Sequence, residues 1–115
     1  MANTGTIKIK GISRKRIQAL AHVYRELDVT FDPVGDHELL LHEHIKELSH
    51  RLNALEVKDQ EKNMLTFTST EALAFQQLWQ LPIPVDPLSG VVIRETVMQI
   101  NKASLAPKRL VAGRV

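Results

Sequence analysis

Leu41, Ile45, Leu48, Leu52 and Leu55 recur at spacings of 4, 3, 4 and 3 residues. A strand cannot use that spacing, because its side chains alternate with a period of two. A helix of 3.6 residues per turn gathers them into one stripe. The spacing predicts a helix from Asp36 to Val57 or Asp59, roughly 30 Å long at 1.5 Å per residue. In a chain of 115 residues such a rod is about as long as the domain is wide, so the fold has to be organised around it. The stripe lasts about two heptads, short of the three or four of an autonomous coiled coil. Two uses follow for it: a seam for a protein partner or second copy, or a stripe buried within the chain.

The remaining elements are read from period and punctuation. Thr6-Ile-Lys-Ile-Lys alternates apolar and charged residues, so it reads as a strand with Ile7 and Ile9 inward and Gly11 ending it. Ser13 is placed to cap a helix to about Asp28, with Ile17, Leu20, Ala21, Tyr24 and Leu27 on one stripe. Residues 29–35 form a connector punctuated by Asp-Pro and Gly. Met64–Thr68 reads as a second strand. Thr68 and Glu71 make a capping box for a helix over 69–80 that packs Leu73, Ala74, Phe75, Leu78 and Trp79. Pro82 and Pro84 exclude helix. Asp86-Pro87 opens a helix to 102 with Ile93, Val97 and Ile100 inward, although Val91-Val-Ile reads equally as strand. After Pro107 no helix signal is visible. The expectation is one compact domain over 1–104 and a basic, mobile tail over 105–115, with Leu110 and Val111 as an alternative third strand.

These elements predict an α+β, mostly helical fold: about four helices packed on a small two- or three-stranded sheet. Apolar residues at 43% supply a core, and aromatics at 4% make it aliphatic. The absence of cysteine excludes disulfide scaffolds, thiolate metal sites and thiol catalysis. Apolar runs of three or four residues are far below the ~18 of a spanning helix. The N-terminus has no apolar targeting region, so no membrane partner and a cytoplasmic location are expected.

The net charge of +2 conceals a polarised distribution. Residues 1–25 carry six bases and no acid, residues 26–71 eleven acids against four bases, and residues 72–115 five bases against two acids. The two basic ends can neutralise the acidic middle, which is the favoured reading. They can also form a phosphate-contacting surface from Lys8, Lys10, Arg14, Lys15, Arg16, Lys108 and Arg109. Arg14, Lys15 and Arg16 lie in a helix's first turn, against its dipole, a local conflict of the kind that accompanies function.

Catalytic signatures are sparse. His37 and His42 are five residues apart, about 140° around a helix, too far for one metal ion. Glu43, Glu47 and His50 do share a face, and Glu47-Leu-Ser-His50 has the spacing of carboxylate-bridged two-metal bundles, but no second such pair exists. An exposed polar face with a Glu47–Arg51 helical pair explains them as well. Nucleophile elbows and phosphate-cradling glycine loops are missing. The expectation is therefore a non-enzymatic interaction module without cofactor. It would act through protein–protein contact or self-association at Leu41, Ile45, Leu48, Leu52 and Leu55. A nucleic-acid binder is the alternative, and a metal-dependent enzyme at Glu43, Glu47 and His50 ranks third.

Overall fold

The computed structural model of the chain describes residues 6–112, with side chains described from Thr6 to Ala103. Along it run β1 (Thr6–Ser13), α1 (Arg14–Thr30), α2 (Gly35–Lys58), β2 (Lys62–Thr68), α3 (Ser69–Leu78) and α4 (Pro87–Ala112). The fold is α+β and mostly helical, with one two-stranded antiparallel sheet.

The sheet joins segments distant in the chain, with Ile7 opposite Phe67, Ile9 opposite Leu65 and Ile12 opposite Asn63. Gly11 does not end β1. It takes φ = 71° where the register slips between Ile9 and Ile12, forming a bulge that glycine's lack of Cβ permits. Strict alternation would turn Ile12 outward. The extra residue returns it to the face of Ile9, and both are buried.

Local chemistry sets the helix starts. The Ser13 hydroxyl accepts from the Arg16 N–H at 3.3 Å. Thr68 and Glu71 close the expected capping box: the Thr68 hydroxyl accepts from the Glu71 N–H at 3.1 Å, and the Glu71 carboxylate from the Thr68 N–H at 2.9 Å. Asp86 accepts from the Ser89 N–H at 3.1 Å and the Ser89 hydroxyl at 2.6 Å. These two bonds, side-chain first, hold the Asp86 carboxyl below its ordinary range. Val91–Ile93 is helical, not strand.

Three expectations need correction. In α3 the buried residues are Ala72, Phe75 and Leu78, while Leu73 is exposed. Four consecutive apolar residues at 100° each circle the helix, so they cannot all face inward. In α4 the buried stripe is Ser89, Val92, Ile93, Thr96 and Ile100, with Val97 only partly covered. This helix also passes the expected end at 102 and continues to Ala112. Pro107 removes one backbone donor, but Leu105, Ala106, Lys108, Arg109 and Leu110 are good helix formers and the helix continues through it. Leu110 and Val111 are therefore helical, and no third strand forms there. The expected tail falls partly on the last turns of α4 and partly, at 113–115, outside the described residues.

The core fills the space between the inner face of the sheet and all four helices. Leu41, Ile45, Leu48 and Leu52 are at most 1% exposed inside it, and Leu55 packs at its edge. The 41–55 stripe is thus consumed by the chain's own packing. A second copy could reach it only by unfolding the first.

Candidate functional site

The one histidine on the buried stripe of α2 is His44, between Leu41 and Ile45. Its Nε2 lies 3.1 Å from the Tyr24 hydroxyl of α1, and the Trp79 indole N–H, just after α3, donates to the same hydroxyl at 3.1 Å. An indole N–H can only donate. In the arrangement that leaves no buried proton idle, the phenol accepts from Trp79 and donates to Nε2, which places the imidazole proton on Nδ1. Burial drives the His44 pKa down to about 4, the Arg51 charge adds to that, and Glu71 opposes both. The ring is neutral at neutral pH. Burial likewise raises the Tyr24 phenol above its ordinary range. Phe75 stacks on Tyr24 at a centroid separation of 6.2 Å and meets His44 edge-on at 6.1 Å, so aromatic packing holds all three polar groups in place.

His44 is also part of the floor of a groove of about 300 Å³ between α2 and α3. On one wall α2 contributes His37, Leu40, Glu43 and Glu47; on the other α3 contributes Thr70, Leu73, Ala74 and Gln77. Both walls follow helical spacing: 40, 43, 44, 47 and 70, 73, 74, 77. Leu40 is 70% and Leu73 53% exposed. The walls are clamped from below by Arg51 of α2, whose guanidinium meets the Glu71 carboxylate at 2.9 Å and the Thr66 carbonyl at 2.6 Å. Glu71 is thereby neutralised. Glu43 and Glu47 form no ion pair among the described residues, so the groove has an apolar floor and an acidic rim. A larger recess of about 430 Å³ lies between α1 and residues 83–86, with His22, Glu26 and Asp86 beside Leu27, Ile83 and Val85 in its lining.

The other expected site residues are placed as follows. Glu43, Glu47 and His50 share the outer side of α2, yet Glu43 and His50 are separated by seven residues, about 10 Å of rise, and one ion cannot span that. No group of three or more His, Asp or Glu among the described residues is arranged to hold a metal, so this candidate set does not assemble. Lys8, Lys10 and Lys15 are exposed. Arg14 is drawn into an ion pair with Asp59 at 2.9 Å, and Arg16 into one with Glu95. Two of the five N-terminal cations are therefore occupied. Lys108 and Arg109 fall on the last turns of α4, outside the described side chains. No helix among the described residues is long and apolar enough to cross a membrane.

The Tyr24–His44–Trp79 triad was not legible as a site, since its members lie 20 and 35 residues apart and only tertiary packing joins them. One signal was present: His44 follows Leu41 by three residues and precedes Leu48 by four, which puts it on the buried stripe. No family model matches the chain, and the searches of curated proteins and of solved structures found no match.

Proposed function

We propose that the chain is a binding module without catalytic chemistry of its own, acting through protein–protein contact at the α2–α3 groove. The observation that carries this reading is the pair Leu40 and Leu73, exposed on opposite walls of a recess whose floor is apolar. Single exposed leucines are ordinary surface. Two of them flanking one groove make a continuous apolar patch of the kind that marks an interaction site. The floor beneath is held by the Tyr24–His44–Trp79 hydrogen bonds and by Arg51, so the surface is preorganised and its ordering entropy is already spent. This moves the contact from the 41–55 seam to the neighbouring face of the same helix. A phosphate-binding role for the N-terminal corner has less support, because Arg14 and Arg16 are engaged by acids of this chain.

Site-specific cross-linking in the cells that make the protein tests the reading. A photoreactive side chain at position 40 or 73 is expected to yield a discrete adduct with a protein, another or a second copy. One at the exposed Gln18 of α1 is expected to yield none. Leu40→Glu should abolish the adduct formed from position 73. Equal labelling from 18 and 73, or no adduct from either groove position, overturns the proposal.

A further inference from the structure

The groove also carries information about what it accepts, and the following rests on its being a contact surface. We infer that its occupant is a basic amphipathic helix of a partner protein, laid along α2 and α3 with its apolar stripe between Leu40 and Leu73 and its cations over Glu43 and Glu47.

Shape and charge support this occupant independently. The two walls present matched stripes at 40, 43, 44, 47 and 70, 73, 74, 77. A furrow between two helices with this spacing offers ridges that a third helix can pack against, its side chains entering at i, i+3, i+4 and i+7. The α3 wall is 10 residues long, about 15 Å, which matches roughly three turns of a partner. An extended strand would instead seek free backbone groups, and those of α2 and α3 are used within the helices.

The groove carries acids that the chain leaves without an ion pair among the described residues. Glu43 and Glu47 rim the groove, and Asp36 and Glu38 lie in the first turn of α2 near its end. Asp59, Glu56 and Glu95 are drawn onto Arg14, Arg25 and Arg16 of the chain itself. At the groove, Glu71 is matched by Arg51, while Glu43 and Glu47 have no such cation among the described residues. An acidic partner would be repelled, and an uncharged apolar one would leave the rim uncompensated, so the rim selects for lysine or arginine.

The test uses the full chain and three synthetic 14-residue peptides. The first is built from leucine and lysine with leucines at i, i+3, i+4 and i+7. The second has the same composition with the leucines scrambled off the stripe. The third keeps the stripe and replaces lysine by glutamate. Binding is read by calorimetry and by amide NMR shifts. The expected result is that the first peptide alone binds at micromolar concentration, with shifts confined to 37–47 and 70–77. Emission of Trp79, the single tryptophan, should change as well, since it is two hydrogen bonds from the groove floor through Tyr24 and His44. Replacing Glu43 and Glu47 together by lysine should weaken binding about tenfold or more. Reversal at Glu61, an exposed acid outside the groove, should leave it unchanged; all three sites are exposed, so folding is preserved. Equal binding of the scrambled peptide would reduce the effect to bulk charge and overturn the inference. So would indifference to the Glu43/Glu47 reversal, or a concentration-dependent dimer that Leu73→Glu dissociates, which would make a second copy the occupant. A groove that cross-links to a protein in cells but ignores the first peptide refutes the helix and leaves the binding-module reading intact.

Discussion

His44 shows how one side chain can serve stability and site together. Its ring is buried and neutral, accepting from Tyr24 through Nε2, while the unfolded chain would protonate it below about 6.5. Its native pKa is depressed to about 4, so the sign follows directly. Above pH 6.5 neither state binds the proton and the stabilisation is fully present. Between 6.5 and 4 the unfolded state takes up the proton and the native state does not, so stability falls as the pH falls. That depression corresponds to a loss on the order of 3 kcal/mol across that window. His44→Gln retains an acceptor for the Tyr24 hydroxyl but no titrating ring. It is expected to flatten the pH dependence of denaturant midpoints between 6.5 and 4 relative to the parent chain. An unchanged slope would show that His44 is not the group titrating there.

α2 turns one face to the core and a second to the α2–α3 groove. The stripe of Leu41, Ile45, Leu48 and Leu52 faces the core, and the stripe of Leu40, Glu43 and Glu47 faces the groove, about 140° away around the helix at about 100° per residue. This separation makes opposite predictions for two similar substitutions. Leu48→Glu places a carboxylate at a fully buried position, where no cation is available, and should cost several kcal/mol and abolish cooperative unfolding near room temperature. Leu40→Glu, at an exposed position, should leave the thermal midpoint within a few degrees of the parent. A folded Leu48→Glu protein of altered mass would mean that the seam is an intermolecular surface after all. Spacing made this helix legible, because a sustained 4-3-4-3 pattern has no other regular solution. It was silent on which helical residues outside the stripe would be covered: Leu73, expected inward, lies in the open because α3 has apolar residues on every side and its neighbours chose among them.

Across the whole molecule, the charge polarity is resolved by folding part of the basic N-terminal region onto the acidic middle. Arg14 reaches Asp59, and Arg25 reaches both Asn53 and Glu56, at 2.8 and 2.6 Å. These contacts are surface ion pairs: Arg14 and Arg16 are nearly half exposed, as is Glu95, and Asp59 more so. Each is worth no more than about 1 kcal/mol. Arg14, Lys15 and Arg16 also oppose the dipole of α1, which costs a few tenths of a kcal/mol per charge. Replacing all three with glutamine should therefore change unfolding free energy by less than about 1 kcal/mol, measured by denaturant melts at low salt. A loss of 3 kcal/mol or more would show these pairs to be a structural clamp.

What the sequence determined by itself were features set by neighbours within about a dozen residues. The long helix follows from its repeat, the Ser13 and Asp86 starts from their side-chain acceptors, the Thr68–Glu71 box from its spacing, and the mostly helical class from their sum. These are local hydrogen bonds and local periodicities, and their free energies are set before the chain collapses. Tertiary structure alone decided the rest. The glycine at 11 could end a strand or bulge it, and pairing with Met64-Leu65 selected the bulge because only that register buries Ile12 beside Ile9. The 41–55 stripe could serve one chain or two, and the arrival of α1, α3 and the sheet on that face used it up. Tyr24, His44 and Trp79 have no local relation at all. They met because desolvating three polar groups in an aromatic core is tolerable only when each satisfies another.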